Sequence, residues 1–296
     1  MFVIFGASGK VGGVTARALR NAGRPVRAVV RHARQGEVLA KLGCDIAIAD
    51  LTDPASVASA IQGATAVQML CPVPVRDADP ASTMERMIDV AADALRANPP
   101  SAVLALSDYG AELDRGTGLT RLFHLLEERL KALATHLTLL RSAEHAQNWA
   151  AMLPVMLATG RLPGLHHPLD RAFSTVATQD VGALAAELLL EAPSGKTPRI
   201  VSVEGPRRVS LVDVARAFGA VVGREIVADA LPRTAWAPML QRAGLSANHV
   251  QLITELYDAV NAGQIDVEKG VSEQRFGKTE LHDVFASMLA AHVQSR

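Results

Sequence analysis

The heptapeptide Gly6-Ala7-Ser8-Gly9-Lys10-Val11-Gly12 follows directly on the apolar run Phe2-Val3-Ile4-Phe5 and opens a helical pattern. A strand, a glycine turn and a helix start in that order are what an anion-cradling loop requires. Gly6 permits the sharp turn, Gly9 lets the backbone approach a pyrophosphate, and Gly12 lets helix and strand pack closely. The free N–H groups and dipole of the helix end favour the anion. Gly6, Ser8, Gly9, Lys10, Val11 and Gly12 are therefore the candidate phosphate-side contacts of a dinucleotide, the alternative being a turn with no ligand. A mononucleotide P-loop does not fit, because Ile4 stands where its first glycine belongs and Val11 replaces the hydroxyl that would hold magnesium. At the end of the second apolar run, Val29-Val30-Arg31-His32-Ala33-Arg34, there is no carboxylate before Glu37. Two guanidiniums in that place suit a 2′-phosphate, which predicts NADP(H) over NAD(H). The bland alternative is that Arg31 and Arg34 cap or solvate the next helix.

These residues need a parallel sheet behind them, and the first half of the chain reads as one. Short apolar runs at Phe2–Phe5, Val26–Val30, Asp45–Ala49, Ala66–Leu70, Ala102–Leu106 and Leu137–Leu140 alternate with helical patterns at Lys10–Ala22, Arg34–Leu42, Pro54–Gln62, Ser82–Ala97 and Thr117–Leu133. Asp53 before Pro54 is a helix-start signal, and Gly23 and Gly43 suit helix ends. After Arg141 the alternation weakens around one more strand, Arg199–Val203, and the stretch from Pro206 to Gly263 reads as two or three helices. The expected fold class is α/β, a Rossmann-type doubly wound parallel sheet with a small, mainly helical C-terminal lobe over the strand carboxyl ends. Residues 1–150 would form the NADP(H)-binding domain. Residues 151–296 would return one strand to the sheet and build the smaller substrate-side lobe.

Composition narrows the partners. Lys+Arg and Asp+Glu both number 30, so no net field draws the chain to nucleic acid or anionic lipid. The two cysteines, Cys44 and Cys71, give neither a metal spacing nor a disulfide framework. The N-terminus lacks the basic and apolar regions of a signal peptide, and no apolar run is long enough to span a membrane, so a cytoplasmic location is expected.

The spacing of the three glycines resembles that of extended and atypical short-chain dehydrogenase/reductases. Later segments narrow the likeness: Val26-Arg27-Ala28-Val29-Val30-Arg31, Ala49-Asp50-Leu51-Thr52-Asp53, Ser107-Asp108-Tyr109-Gly110-Ala111, His124 with Glu127 and Glu128, Leu139-Leu140-Arg141-Ser142, Thr178-Gln179-Asp180-Val181-Gly182, and Glu204-Gly205-Pro206 through Gly223-Arg224. In order and spacing they are similar to the NmrA-like family of atypical short-chain dehydrogenase/reductases, which includes NAD(P)H-dependent quinone reductases and nucleotide-sensing regulators. The resemblance implies that Asp50 and Leu51 flank adenine, that Leu70, Cys71 and Pro72 pass beside the ribose and nicotinamide, that Ser107 belongs to the cofactor site, and that Asn148 and Trp149 line a substrate pocket. Asp50 reads equally well as a turn carboxylate, and Asn148-Trp149 as core filler with a cap, while Cys71 reads first as a small buried hydrophobe.

The proton-donating pair of typical superfamily reductases, a Tyr with a Lys four residues on, is missing: Leu113 follows Tyr109 at that spacing and Asn261 follows Tyr257. That argues against alcohol dehydrogenase or epimerase chemistry but leaves hydride transfer to a quinone, whose oxyanion water can protonate. Tyr109 and His124, the latter with Glu128 one turn on, are the candidate catalytic residues, each with a packing or surface-pair alternative. His166-His167 lack further ligands at metal spacing, so no metal is expected. The resulting expectation is an NADPH-dependent reductase of a quinone-like or other small conjugated electron acceptor. A non-catalytic NADP(H)-binding redox sensor is the alternative, and a homodimer or a regulatory protein partner stays open.

Overall fold

The computed structural model describes residues 1–133 and 135–294. Ala134, Ser295 and Arg296 lie outside the described residues, the last two within the region expected over 151–296. The chain runs β1 (Phe2–Ile4), α1 (Lys10–Asn21), β2 (Val26–Val30), α2 (Ala33–Lys41), β3 (Asp45–Ile48), α3 (Pro54–Ile61), β4 (Ala66–Met69), α4 (Pro80–Ala97), β5 (Ala102–Asp108), α5 (Thr120–Lys131) and β6 (His136–Ser142). Beyond it lie β7 (Glu144–His145), a 3-10 segment (Ala146–Met152), α6 (Leu153–Thr159), β8 (Arg161–Gly164), β9 (Thr175–Val176), α7 (Thr178–Leu190) and β10 (Arg199–Glu204). The chain closes with α8 (Leu211–Val222), β11 (Val227–Ala230), α9 (Arg233–Arg242), α10 (Ala247–Asn261), β12 (Glu273–Phe276) and α11 (Leu281–Gln294).

Eight strands form one sheet in the order β12-β10-β6-β5-β4-β1-β2-β3, and every pairing in it is parallel. The order reverses between β1 and β4, and in such sheets ligands bind outside the strand carboxyl ends at that reversal. The sheet is buried on both faces because its strands alternate. Val3, Phe5, Val67 and Met69 face one core with α3, α4 and α5, whereas Ile4, Ala28 and Val30 face a second core with α1 and α7. A third core joins the 3-10 segment, α6, α8 and α11 around Phe218 and Phe285, whose rings meet edge to face at 5.6 Å. This is the expected Rossmann-type architecture. No described helix is long and apolar enough to cross a membrane.

The expected boundaries shift where turn chemistry decides. Asp79 accepts from Ser82 N at 3.1 Å and is followed by Pro80, so α4 begins at Pro80 by the same Asp-Pro signal that starts α3. Gly118, at φ +53°, cannot join a helix, and α5 starts at Thr120 instead of Thr117. The region past residue 150 returns two strands to the sheet, where one was expected. The second, β12, is a wholly exposed edge strand of sequence Glu-Gln-Arg-Phe, which shows none of the apolar alternation that marks a buried strand.

Candidate active site

The turn after β1 has the shape of a cradle. Gly6 sits at φ +70°, and a Cβ there would lie 2.8 Å from Leu70 Cδ2. A Cβ on Gly12 would lie 2.4 Å from the Gly6 carbonyl oxygen, so α1 can close onto the turn only with glycine at that position. Gly9 caps α1 without a side-chain hydrogen bond, and no acidic residue stands in the first turn. The first N–H groups of α1 therefore have no intrahelical acceptor, which is the arrangement that suits an anion. Ser8, Gly9 and Lys10 are exposed beside them. From behind, Thr15 Oγ1 donates to Gly182 O at 3.1 Å, and Gly182 lets α7 press against Val11.

Arg31 and Arg34 are exposed after β2, and among the described residues neither guanidinium pairs with a carboxylate. Two unpaired cations beside an open helix end fit a phosphate-bearing dinucleotide. Asp50 is committed locally: its Oδ1 accepts from Thr52 N at 2.8 Å and from Thr52 Oγ1 at 2.7 Å, and those bonds hold the carboxyl below its usual range. Leu51 is half-buried next to it.

Beyond the turn, a cavity of about 430 Å³ opens over the ends of β5 and β6. Val11 and Leu70 line both the glycine turn and this cavity, so the two are continuous. Its apolar walls include Leu119, Phe123, Phe173 and Ile265.

Several expected residues fall elsewhere. Cys71 is fully buried in the core beneath the sheet, and burial pushes its thiol up to about 12, so Leu70 holds the wall position and Cys71 does not. The alternation of β4 carries on past its end, with Cys71 on the same side as Met69 and Leu70 on the other. Pro72 is exposed past the strand. Ser107 lines the cavity, but its hydroxyl points away and donates to Glu127 at 2.6 Å. His124 is absent from the cavity wall, and its Nδ1 lies 2.9 Å from the Ala111 carbonyl, tying α5 to the turn after β5. Asn148 faces the cavity, whereas Trp149 is buried behind it against His166 and Phe173. Tyr109 lines the cavity with a buried, unpartnered hydroxyl, and burial pushes the phenol above its usual range, with the Glu204 charge adding to the effect.

The polar groups that do converge there come from four separate elements. Glu144 Oε1 accepts from Tyr257 Oη at 3.0 Å, and Glu144 Oε2 lies 3.0 Å from His166 Nε2. The His166 ring stacks on Phe173 with centroids 3.8 Å apart and meets Tyr257 edge-on at 5.0 Å. Asp108, at the end of β5, pairs in register with Ser142, two residues before Glu144. Burial raises the Asp108 carboxyl to about 7. Hydrogen bonding from Thr120 and from the Tyr109 backbone opposes that rise, and the Glu144 charge adds to it. His145 is held neutral, down to about 4, chiefly by burial. Residues 113 apart in sequence meet at the Tyr257–Glu144 bond, so no local motif announces it.

A buried ionic cluster fixes the strand ends beneath the cavity. Arg141 makes two bonds to Glu127, at 2.8 and 2.7 Å, and further bonds to Glu112 at 2.9 Å and Glu268 at 2.5 Å. The bidentate geometry sets the register of β6 against α5.

A family model described as the NmrA-like family matches residues 1–283. No curated protein matches the sequence significantly. Among solved structures, the chain is similar to a triphenylmethane reductase of Citrobacter sp., with TM-score 0.80 and 18% identity, covering 98% of this chain and 99% of that one. It is also similar to an NADPH-dependent quinone oxidoreductase of Escherichia coli in complex with NADPH, with TM-score 0.80, 21% identity, and coverage of 98% and 100%. A third is a leucoanthocyanidin reductase of Vitis vinifera with NADPH, with TM-score 0.74, 13% identity, and coverage of 98% and 99%. At such identities the likeness is one of fold. The family model, by contrast, spans nearly the entire chain, and this protein belongs to the NmrA-like family.

Proposed function

We propose that this chain is an NADPH-dependent reductase acting on quinone-like or other small conjugated acceptors. The observation that carries the reading is the continuity of the glycine cradle with the 430 Å³ cavity through Val11 and Leu70. A nucleotide seated on α1 can then share one cavity with an acceptor. When bound, NADPH supplies a hydride. The chain's own part is to hold the pyrophosphate on the α1 N–H groups, to receive the 2′-phosphate with Arg31 and Arg34, and to keep the acceptor flat between apolar walls. The names of the similar structures, two of them NADPH complexes, agree with this reading. Such a cavity makes a small molecule the fitting partner, and the proposed setting is the cytoplasm.

The test is NADPH oxidation followed spectroscopically with a panel of benzoquinones and naphthoquinones, alongside calorimetric NADPH binding. Steady, enzyme-dependent oxidation is expected. Tight binding without turnover on any member would make the chain a nucleotide sensor instead.

A further inference from the structure

The acid–base groups around the cavity come from β5, β7, the loop after β8 and α10, apart from the glycine turn in sequence. Asp108 and Glu144 leave adjacent strand ends and line one cavity, and Glu144 is held at Oε1 by Tyr257 and at Oε2 by His166. We propose that Asp108 is the general acid of this site, delivering a proton to the acceptor oxygen that gains charge on reduction, while Glu144 is the positioning residue whose fixed charge keeps that proton in place. The proposal rests on the reductase reading and names its substrate class: acceptors that carry a carbonyl oxygen in conjugation.

The surroundings favour Asp108 over the other candidates. Tyr257 already spends its hydroxyl proton on Glu144, and burial together with the Glu144 charge raises its phenol well above the usual range. Tyr109 is raised in the same sense. His145 is neutral near pH 7 and lies with its Nε2 3.2 Å from Ser142 Oγ. Of the cations on the wall, Arg208 is taken up by Asp266 at 2.5 Å and Glu204 at 3.2 Å, and Arg171 donates to the Asn261 carbonyl. His167 is engaged with the Leu231 carbonyl at 2.9 Å, and His166 is engaged through Nε2 with Glu144 Oε2 at 3.0 Å. That leaves Asp108, raised to about 7, with a carboxyl that is part acid and part base at neutral pH, the match that general acid catalysis favours.

Hydride adds to the conjugated acceptor, a carbonyl π pair moves onto oxygen, and an O–H bond forms there as the O–H bond of Asp108 breaks. The acceptor gains two electrons and the nucleotide loses two. Asp108 is left as a carboxylate and regains its proton from water.

Carboxyl titration of the full-length protein labelled with ¹³C-aspartate, without nucleotide, is the first test. One aspartate should titrate near pH 7 and vanish in Asp108→Asn. Its midpoint should fall in Glu144→Gln, which removes the neighbouring charge, and rise in Thr120→Val, which removes the 3.1 Å hydrogen bond to Asp108 Oδ2. The second test is single-turnover NADPH oxidation with saturating benzoquinone, where Asp108→Asn should be slower by about 100-fold with NADPH affinity unchanged. The proposal is overturned if no aspartate titrates near neutrality, or if Asp108→Asn stays within about threefold of wild type, since an operating general acid contributes at least about 100-fold. A wild-type protein that shows the titration yet oxidises no NADPH removes the reductase reading and, with it, the acceptor that this proton would serve.

Discussion

The glycine turn and the cavity wall sit side by side in space but are built in opposite ways. The turn is local: seven consecutive residues supply its shape, and each glycine answers to one close approach, as Gly12 does to the Gly6 carbonyl at 2.4 Å. The wall is assembled, with Asp108, Glu144, His166 and Tyr257 brought from β5, β7, the loop after β8, and α10. A function carried by backbone N–H groups needs only a short motif. One carried by side-chain polarity depends on the whole fold.

The largest effect expected on this contrast comes from Gly9→Asp, which puts a like charge where the pyrophosphate must approach and should weaken NADPH binding by at least about 100-fold, the loss of two or more hydrogen bonds to a charged group. A Cβ at Gly9 would lie 3.1 Å from the Gly6 oxygen, so Gly9→Ala is the control. Calorimetry on both variants, with thermal unfolding to confirm folding, decides whether charge or bulk is responsible. Retained binding in a folded Gly9→Asp protein would mean that nucleotide does not use this turn.

Next in size is a pH effect of opposite sign at the two ends. Asp108 is raised above its unfolded value, so its contribution to stability is present in acid and lost as pH climbs through about 7. Relative to Asp108→Asn, wild type should lose up to about 2.5 kcal/mol between about pH 5 and pH 8. Asp50 is lowered by its Thr52 bonds, so its contribution is present above the unfolded carboxyl range and lost as pH falls. Urea melts of wild type and Asp108→Asn between about pH 5 and pH 8, and of wild type and Asp50→Asn from about pH 5 down to about pH 2, would expose the two slopes; slopes of one sign would contradict the local causes assigned to each carboxyl.

What was readable beforehand follows the same division. The parallel sheet, its strand carboxyl ends and the glycine turn were legible because period-2 burial, Asp-Pro helix starts and glycine spacing are written in contiguous residues. The edge strand β12 was not, since all four of its residues are exposed. Cys71 was legible as a small buried hydrophobe, and it is one; its place beside the nicotinamide came only from the resemblance. His124 looked like a catalytic histidine paired with Glu128, yet Glu128 bonds Lys131 at 2.7 Å and His124 serves the Ala111 carbonyl. Glu144 carried no signal at all, because its partners lie 22 and 113 residues away.

Smaller effects sharpen the cofactor end. Replacing Arg31 and Arg34 together with Ala should cost about tenfold in NADPH affinity, the lower end of a hydrogen bond to a charged group at an exposed site, and leave NADH affinity unchanged. Fluorescence titrations with both nucleotides check this. An equal loss for NADH would assign the arginines a role unrelated to the 2′-phosphate. Least affected should be His124→Ala and Tyr109→Phe, whose rates should stay within about tenfold of wild type because neither supplies the proton in this account.

The most direct test mixes the wild-type protein, already loaded with NADPH, with a saturating naphthoquinone in a stopped-flow cell and follows the nucleotide fluorescence through one turnover. The account predicts that the signal decays fully, with one quinone reduced per NADPH consumed. NADPH that stays bound and reduced throughout would contradict it.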